Sequence, residues 1–339
     1  MYKLAFIGLG RIADVYYASV KANQERAELV GVCDIRLEAV ERRKREWSIP
    51  GFTSIEELLS KIDVDAVCLL VPHNMHRKFV EIAAQHRKHI YLEKPIANSV
   101  EEATRIVSVV REREIILLVA HTGLFHPAFD RVLEFVKKGW LGRPLFGKGI
   151  SAGWLSFRPW DFRLDEKQTG GGCWIDAGGH LVYCLREIFG EVSSITGAIA
   201  RLARHEMEGE DHAAAVVRFA SGALAELFVS YGHKLPGYQH DWPQGYLNAI
   251  EVYGDRGAIQ YVISPEPQLR YFSEVPDAMP PAWRGWLTYK PAQPYVHVFQ
   301  RALSHFLDCL DGKTKPRVTA EDGLASLKVL SGLYDQCDA

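Results

Sequence analysis

The sequence predicts an α/β protein in two parts: a parallel, doubly wound sheet over residues 1–121, and an α/β domain with an open, mostly antiparallel sheet over 122–339. Three observations predict it. Up to about His121, apolar strand-like runs alternate with helix-length segments, which is the rhythm of βαβ units. A glycine turn, Gly8-Leu9-Gly10-Arg11-Ile12-Ala13, lies between the first strand and the first helix. Beyond His121 the rhythm gives way to short alternating segments joined by turn residues.

Residues 3–8 read as a fully buried strand, 11–22 as a helix and 28–34 as a second strand. Leu37 to Trp47 is a charged helix. Acids interrupt its basic run at Arg42-Arg43-Lys44-Arg45, so it fits a solvated face rather than a nucleic-acid patch. Ser54 or its neighbour caps a short helix through Leu59, and Val64 to Val71 is a strand closed by Pro72. A helix over about 75–85 leads to the strand at His89 and the Glu93-Lys94-Pro95 break. Ser99 and Glu102 then form a capping box, and Ile115 to Ala120 is a further strand. In the second part, a helix from Pro127 to Lys138 is stopped by Gly139, and another runs over 174–188. Alternating segments fall at 145–152, 192–203, 212–219, 223–230, 248–253 and 258–262, while 232–247 and 264–294 read as loops.

Composition narrows the function classes. With 47% hydrophobic and 24% charged residues and a net charge of −2, the chain is neither disordered nor basic enough to suggest a nucleic-acid partner. The first apolar run is too short for a signal peptide, and no uncharged run approaches the length of a membrane span. The six cysteines include no C-x-x-C pair and suit a reduced, cytoplasmic interior.

The glycine turn carries chemistry as well as shape. Gly8 permits the tight turn, Gly10 lets a pyrophosphate approach the backbone, and Ala13 lets helix and sheet pack closely. The amino end of the helix, at Arg11 and Ile12, offers free N–H groups to a diphosphate. This is a dinucleotide-binding (Rossmann) signature. Asp34 ends the second strand, where a carboxylate accepts bonds from the adenosine ribose hydroxyls and repels a 2′-phosphate, which favours NAD over NADP. Arg36 is close enough to compete, by stacking on adenine or meeting a phosphate.

Lys94 ends an apolar strand before a proline, where an ammonium can polarise a carbonyl. Asp176 and His180, four apart on the 174–188 helix, fall together and away from the stripe of Trp174, Leu181, Leu185 and Ile188. Imidazole suits removal of a hydroxyl proton near neutral pH. Trp160, Arg163, Tyr238, His240, Trp242 and Tyr246 suit the faces and hydroxyls of a sugar ring, with Arg163 the preferred contact and His126 a further one. A zinc site over Cys173, Asp176, His180 and Cys184 is disfavoured, because three helical turns separate the two cysteines.

At Glu93-Lys94-Pro95 the chain resembles the glucose–fructose oxidoreductase/inositol dehydrogenase/rhizopine catabolism (Gfo/Idh/MocA) family. The resemblance also takes in the glycine turn, Val71-Pro72 with His76 beyond it, Gly170-Gly171-Gly172 followed by Asp176 and His180, and Tyr295 before the last helical region. It implies a Rossmann domain and a second domain whose sheet face serves in dimers or tetramers. It also implies an active site in the cleft between the domains, and a sugar or cyclic polyol as substrate. The resemblance puts Lys94, Asp176 and His180 in the catalytic group, and Pro72, His76, Glu93 and Lys94 beside the dinucleotide. It further suggests a cis Pro95. The expected reaction is hydride transfer between NAD and a hydroxyl or carbonyl carbon, His180 acting as base and Lys94 polarising the oxygen. Two other activities fit the same fold: a non-redox sugar-sensing protein, and an enzyme that uses NAD transiently to cleave a glycoside. The chain departs from the family pattern at Gln85-His86-Arg87-Lys88-His89 and at Gly123-Leu124-Phe125-His126-Pro127, which lacks the arginine that often precedes this phenylalanine.

Overall fold

The computed structural model describes residues 1–237, 245–280, 285–291 and 297–337. The chain divides into two compact units, Met1–Thr122 with Val296–Leu327, and Gly123–Tyr295 with Lys328–Ala339.

In the first unit, β1 (Tyr2–Ile7), β2 (Ala27–Cys33), β3 (Gly51–Phe52), β4 (Ala66–Leu69), β5 (His89–Glu93) and β6 (Leu117–Ala120) form one parallel sheet in the order β3-β2-β1-β4-β5-β6. Its crossovers are α1 (Ala13–Ala22), α2 (Leu37–Trp47), α3 (Ile55–Lys61), α4 (His76–Gln85) and α5 (Val100–Arg113). Every residue of β4 and β6 is buried, which is why both read as unbroken apolar runs. The strand order reverses between β1 and β4, and a crevice outside the carboxyl ends of such a pair is where open α/β sheets take ligands. Ser54 accepts from the Glu57 N–H at 3.3 Å and Ser99 from the Glu102 N–H at 3.2 Å, so both serines cap as expected. The return bond of the capping box is not made, because the Glu102 carboxylate pairs with Arg77 at 3.3 Å.

The second unit opens with α6 (Pro127–Lys137), and its sheet contains β7 (Pro144–Gly153). Next come α7 (Glu166–Thr169), a π-helical turn (Trp174–Gly178) and α8 (Gly179–Phe189). The remaining strands are β8 (Val192–Ala200), β9 (His212–Phe219), β10 (Leu224–Ser230), β11 (Tyr246–Gly254), β12 (Gly257–Ser264), β13 (Gln268–Ser273) and β14 (Leu287–Tyr289). The sheet order is β14-β13-β12-β11-β7-β10-β9-β8, antiparallel except for β7 beside β10. Along β9 buried and outward residues alternate, leaving Ala214, Val216 and Arg218 exposed on one face. β13 and β14 lie within 264–294, which the sequence reads as loop. Prolines at 265, 267, 276, 280 and 281 mask the strand signal, and prolines are tolerated near a sheet edge.

The chain then forms α9 (His297–Leu310) and α10 (Ala320–Cys337). The sequence places all of 122–339 in one domain, but α9 packs in the first unit. Phe299 meets the Tyr16 ring edge-on at 5.6 Å, and Arg26 pairs with Asp308 at 2.8 Å and Asp311 at 3.0 Å. Among the described residues no helix is long and apolar enough to cross a membrane.

Candidate active site

In the first unit the glycine turn joins β1 to α1. Gly8 has φ +98°, and a Cβ there would lie 2.3 Å from the Leu70 carbonyl oxygen, so only glycine fits. A Cβ on Gly10 would meet nothing within 4 Å, and the amino end of α1 at Ile12 has no side-chain cap. Arg11 is exposed and Ile12 half-buried beside that end. Open space against a bare helix terminus fits a diphosphate.

Asp34 follows β2 and is 8% exposed. Its Oδ2 accepts the Leu9 N–H at 2.8 Å, and Arg36 donates to both oxygens from Nε and Nη2 at 3.0 Å. Burial works against the charge, yet the bonds from Arg36 and Leu9 outweigh it and hold the carboxyl below its usual range. The acid that would meet the ribose is therefore ionised and tied to the glycine turn. Its partner Arg36 keeps a side chain that is 57% exposed.

Lys94 is half-buried at the end of β5, and its bond to Pro95 is cis. Glu93 is half-buried, and both its carboxylate oxygens are engaged within the chain. Its Oε1 accepts from the Tyr16 hydroxyl at 2.6 Å and its Oε2 from the Lys94 N–H at 3.0 Å. His76 lies deeper. It is fully buried, with Nδ1 2.9 Å from the Pro95 carbonyl oxygen and Nε2 3.0 Å from that of Val71. Burial pushes the imidazole down to about 4, so at pH 7 the ring is neutral and its single N–H donates to one of these two carbonyls. Pro72, half-buried, opens the 3₁₀ turn after Val71.

In the second unit, Asp176 sits in the π-helical turn and His180 in the first turn of α8. The sequence reads one regular helix there. The wider π turn alters the spacing, and such turns recur at functional sites. From Gly171 to Arg186 every residue is buried except His180, which is half-buried. Asp176 is 4% exposed, and its Oδ2 accepts from the Tyr231 hydroxyl at 2.6 Å and from Arg163 Nε at 2.9 Å. Arg163 also pairs with Asp161 at 3.1 Å, and the two carboxylates hold its guanidinium firmly charged against the cost of burial. Two sequence candidates thus belong to one cluster. The sequence does not mark Tyr231, because 55 residues of chain separate it from Asp176.

The start of this helix is fixed by a residue the sequence does not mark. Glu210, 6% exposed, accepts the Gly172 N–H at Oε2 and the Trp174 N–H at Oε1, while its main-chain carbonyl takes the Cys173 N–H. A Cβ on Gly172 would fall 1.9 Å from that carbonyl oxygen, so the glycine is required.

Other candidates separate. His126 is 1% exposed, caps α6 by accepting the Ala128 N–H at Nδ1, and lies against Tyr261, so it is a packing residue rather than a substrate contact. Trp160 is 73% exposed. Tyr246 is buried in β11, its hydroxyl 3.1 Å from Ser151 Oγ. Tyr238, His240, Trp242 and Tyr295 lie outside the described residues. Cys173 donates its thiol hydrogen to the Val229 carbonyl, and no cluster among the described residues could hold a metal. A recess of about 640 Å³ does exist, but on the open sheet face at Gly149, Ala214, Val216 and Leu227, away from Asp176.

Known proteins share this layout. The model for the "Oxidoreductase family, NAD-binding Rossmann fold" matches residues 2–121, and that for the "GFO/IDH/MocA C-terminal domain" matches 129–260. A 1,5-anhydro-D-fructose reductase of Ensifer adhaerens is 27% identical over 81% of this chain and 78% of its own. The scyllo-inositol 2-dehydrogenase (NAD(+)) of Bacillus subtilis is 26% identical over 96% and 91%. A levoglucosan dehydrogenase solved with NADH and levoglucosan superposes with a TM-score of 0.86 at 18% identity, covering 99% of this chain and 97% of that one. With both family models matched in chain order over residues 2–121 and 129–260, the chain belongs to the Gfo/Idh/MocA family of NAD-dependent oxidoreductases.

Proposed function

We propose that this oxidoreductase acts on a sugar or cyclic polyol, interconverting a hydroxyl and a carbonyl carbon, with NAD preferred over NADP. The substrate class rests on the relatives, which are named for an anhydro-sugar and an inositol. The first unit serves the dinucleotide through Gly8, Gly10, Arg11, Ile12 and Asp34, with Pro72 at the neighbouring strand end. The second serves the substrate, and its open sheet face serves homodimer or homotetramer assembly. One observation carries the residue roles: His180 is the single half-buried position in an otherwise buried run, one turn from a carboxylate held by two donors.

In the oxidative direction the imidazole of His180 takes the hydroxyl proton. Lys94 donates from Nζ to the same oxygen and stabilises the negative charge that develops there. Bound NAD⁺ supplies the acceptor for the hydride leaving the carbinol carbon. Asp176 holds Arg163 in place, and Arg163 donates to ring hydroxyls while Trp160 offers a face to the ring.

The test is initial-rate kinetics on myo-inositol, scyllo-inositol and levoglucosan with NAD⁺, and on 1,5-anhydro-D-fructose with NADH. Net turnover of the nicotinamide separates a dehydrogenase from a sensing protein and from a glycoside-cleaving enzyme. Lys94→Ala and His180→Ala should each lower kcat/KM by about 100-fold or more while NAD titration stays near the parent value. Near-normal kcat/KM in both variants would overturn the assignment.

A further inference from the structure

We propose that Tyr16, acting through Glu93, is a positioning residue for Lys94, so that the helix carrying the dinucleotide turn also sets the place of the lysine. The proposal rests on the role given to Lys94 above. Tyr16 belongs to the first turn of α1, its N–H donating to the Ile12 carbonyl at 3.2 Å. It is 1% exposed, wedged edge-on against Tyr91 at 5.3 Å and Phe299 at 5.6 Å. In that packing its hydroxyl reaches Glu93 Oε1 at 2.6 Å, and Glu93 Oε2 in turn accepts the Lys94 N–H at 3.0 Å. Burial pushes the Tyr16 phenol well above its ordinary range, so it stays a donor at every working pH.

The bonds form an unbroken series from the amino end of α1 to the lysine backbone. On the other side of Lys94, Pro95 has no N–H to give, and its carbonyl lies 2.9 Å from the buried His76 ring. Lys94 is thus fixed from both neighbours. A packed aromatic ring has two side-chain torsions to restrain and the carboxylate is bonded at both oxygens, so little slack remains. Electrostatic help to a reacting oxygen depends on a donor held near 2.7–3.1 Å, and a small drift of the lysine main chain would displace its ammonium from that range. Glu93, in this scheme, serves the lysine and not the dinucleotide.

Tyr16→Phe keeps the ring and removes only the hydroxyl. The expected result is a fall in kcat of about tenfold, with KM and the NAD dissociation constant within about twofold of the parent. The assay uses whichever of the four sugars named above the parent turns over fastest. A second readout needs no substrate: amide hydrogen exchange at Lys94 should quicken by about tenfold in Tyr16→Phe. Glu93→Ala should match Tyr16→Phe or exceed it, and Glu93→Gln, which keeps one acceptor oxygen, should recover part of the loss. Tyr16→Phe added to Lys94→Ala should cost no further turnover. Parental kcat and exchange in Tyr16→Phe beside a crippled Lys94→Ala would overturn this proposal alone. Loss of turnover matched by loss of NAD affinity would overturn it as well, by making Tyr16 a cofactor residue. Normal turnover in Lys94→Ala would overturn the role of the lysine and this proposal together.

Discussion

Replacing Tyr231 by Phe should weaken the second unit by about 1.5–2 kcal/mol, and the loss should depend on Asp176 being ionised. The hydroxyl donates to Asp176 Oδ2 at 2.6 Å, with Tyr231 2% and Asp176 4% exposed. A hydrogen bond to a charged group contributes about 1.5–3 kcal/mol, and the lower half applies because Arg163 Nε still serves the same oxygen after the change. Asp176→Asn removes the charge and leaves Tyr231 and Arg163 competing for one amide oxygen. Breaking a buried ion pair costs about 3–5 kcal/mol, but Arg163 is 35% exposed and keeps Asp161, so about 2–3 kcal/mol is expected. In the double variant the Tyr231–Asp176 bond is lost only once, so the two costs should overlap by about 1–1.5 kcal/mol. Urea unfolding of the three variants and the parent at pH 7, with equal m-values as a check, measures this coupling. A coupling below about 0.5 kcal/mol would mean that the short contact contributes no specific energy, and Tyr231 would then be ordinary core.

Three more expectations follow from other parts of the molecule. NAD(H) should bind at least about tenfold more tightly than NADP(H), and Asp34→Ser should narrow the gap; equal or tighter NADP(H) binding by nicotinamide fluorescence would refute it. Asp211, fully buried, is opposed by burial, but His212 and the N–H groups of Leu202, Ala203 and Arg204 bring its carboxyl down to about 2 from 3.8. Its stabilisation is therefore complete above pH 3.8 and is lost as pH falls toward 2, in total about 2 kcal/mol; urea midpoints across pH 2–5 should lose that slope in Asp211→Asn. Light scattering at micromolar concentration should give a dimer or tetramer mass, and Val216→Arg, at a position 47% exposed on the open sheet face, should shift it toward monomer; a monomeric parent would refute the assembly.

What was legible in the sequence was whatever depends on neighbours along the chain. The buried strands β1 and β4, the caps at Ser54 and Ser99, and the glycine turn each rest on local periodicity or on a backbone angle, and each lies within a few residues of its expected place. Contacts between distant segments were not legible. The amphipathic pattern of α9 marks an apolar face, but nothing in the pattern says that this face covers α1 instead of the second sheet. Tyr231 and Glu210 read as an ordinary strand-end aromatic and an ordinary loop acid, because their partners at Asp176 and Gly172 become neighbours only after folding. Residue type also misleads where burial decides the role. A histidine after the Val71-Pro72 strand end suits a ligand contact as well as a strut, and only full burial between the Val71 and Pro95 carbonyls, one of which takes its N–H, makes His76 a strut.

The pair at Asp34 and Arg36 takes this further, because both residues were visible but their relation was not. Read singly, the acid favours NAD and the arginine favours a 2′-phosphate. In the structure they neutralise one another across two parallel bonds of 3.0 Å. A ribose hydroxyl has to share the carboxylate with Arg36, whereas a 2′-phosphate has to draw Arg36 away from a carboxylate that also anchors Leu9. Swinging the exposed arginine outward leaves Asp34 ionised and facing the phosphate, so the second exchange costs a like-charge contact that the first avoids. Selectivity at this site is therefore the difference between two exchanges involving the same ion pair. Removing Arg36 alone should weaken NADP(H) further while leaving NAD(H) bound, since it takes away the cation paired with Asp34 that can answer the phosphate.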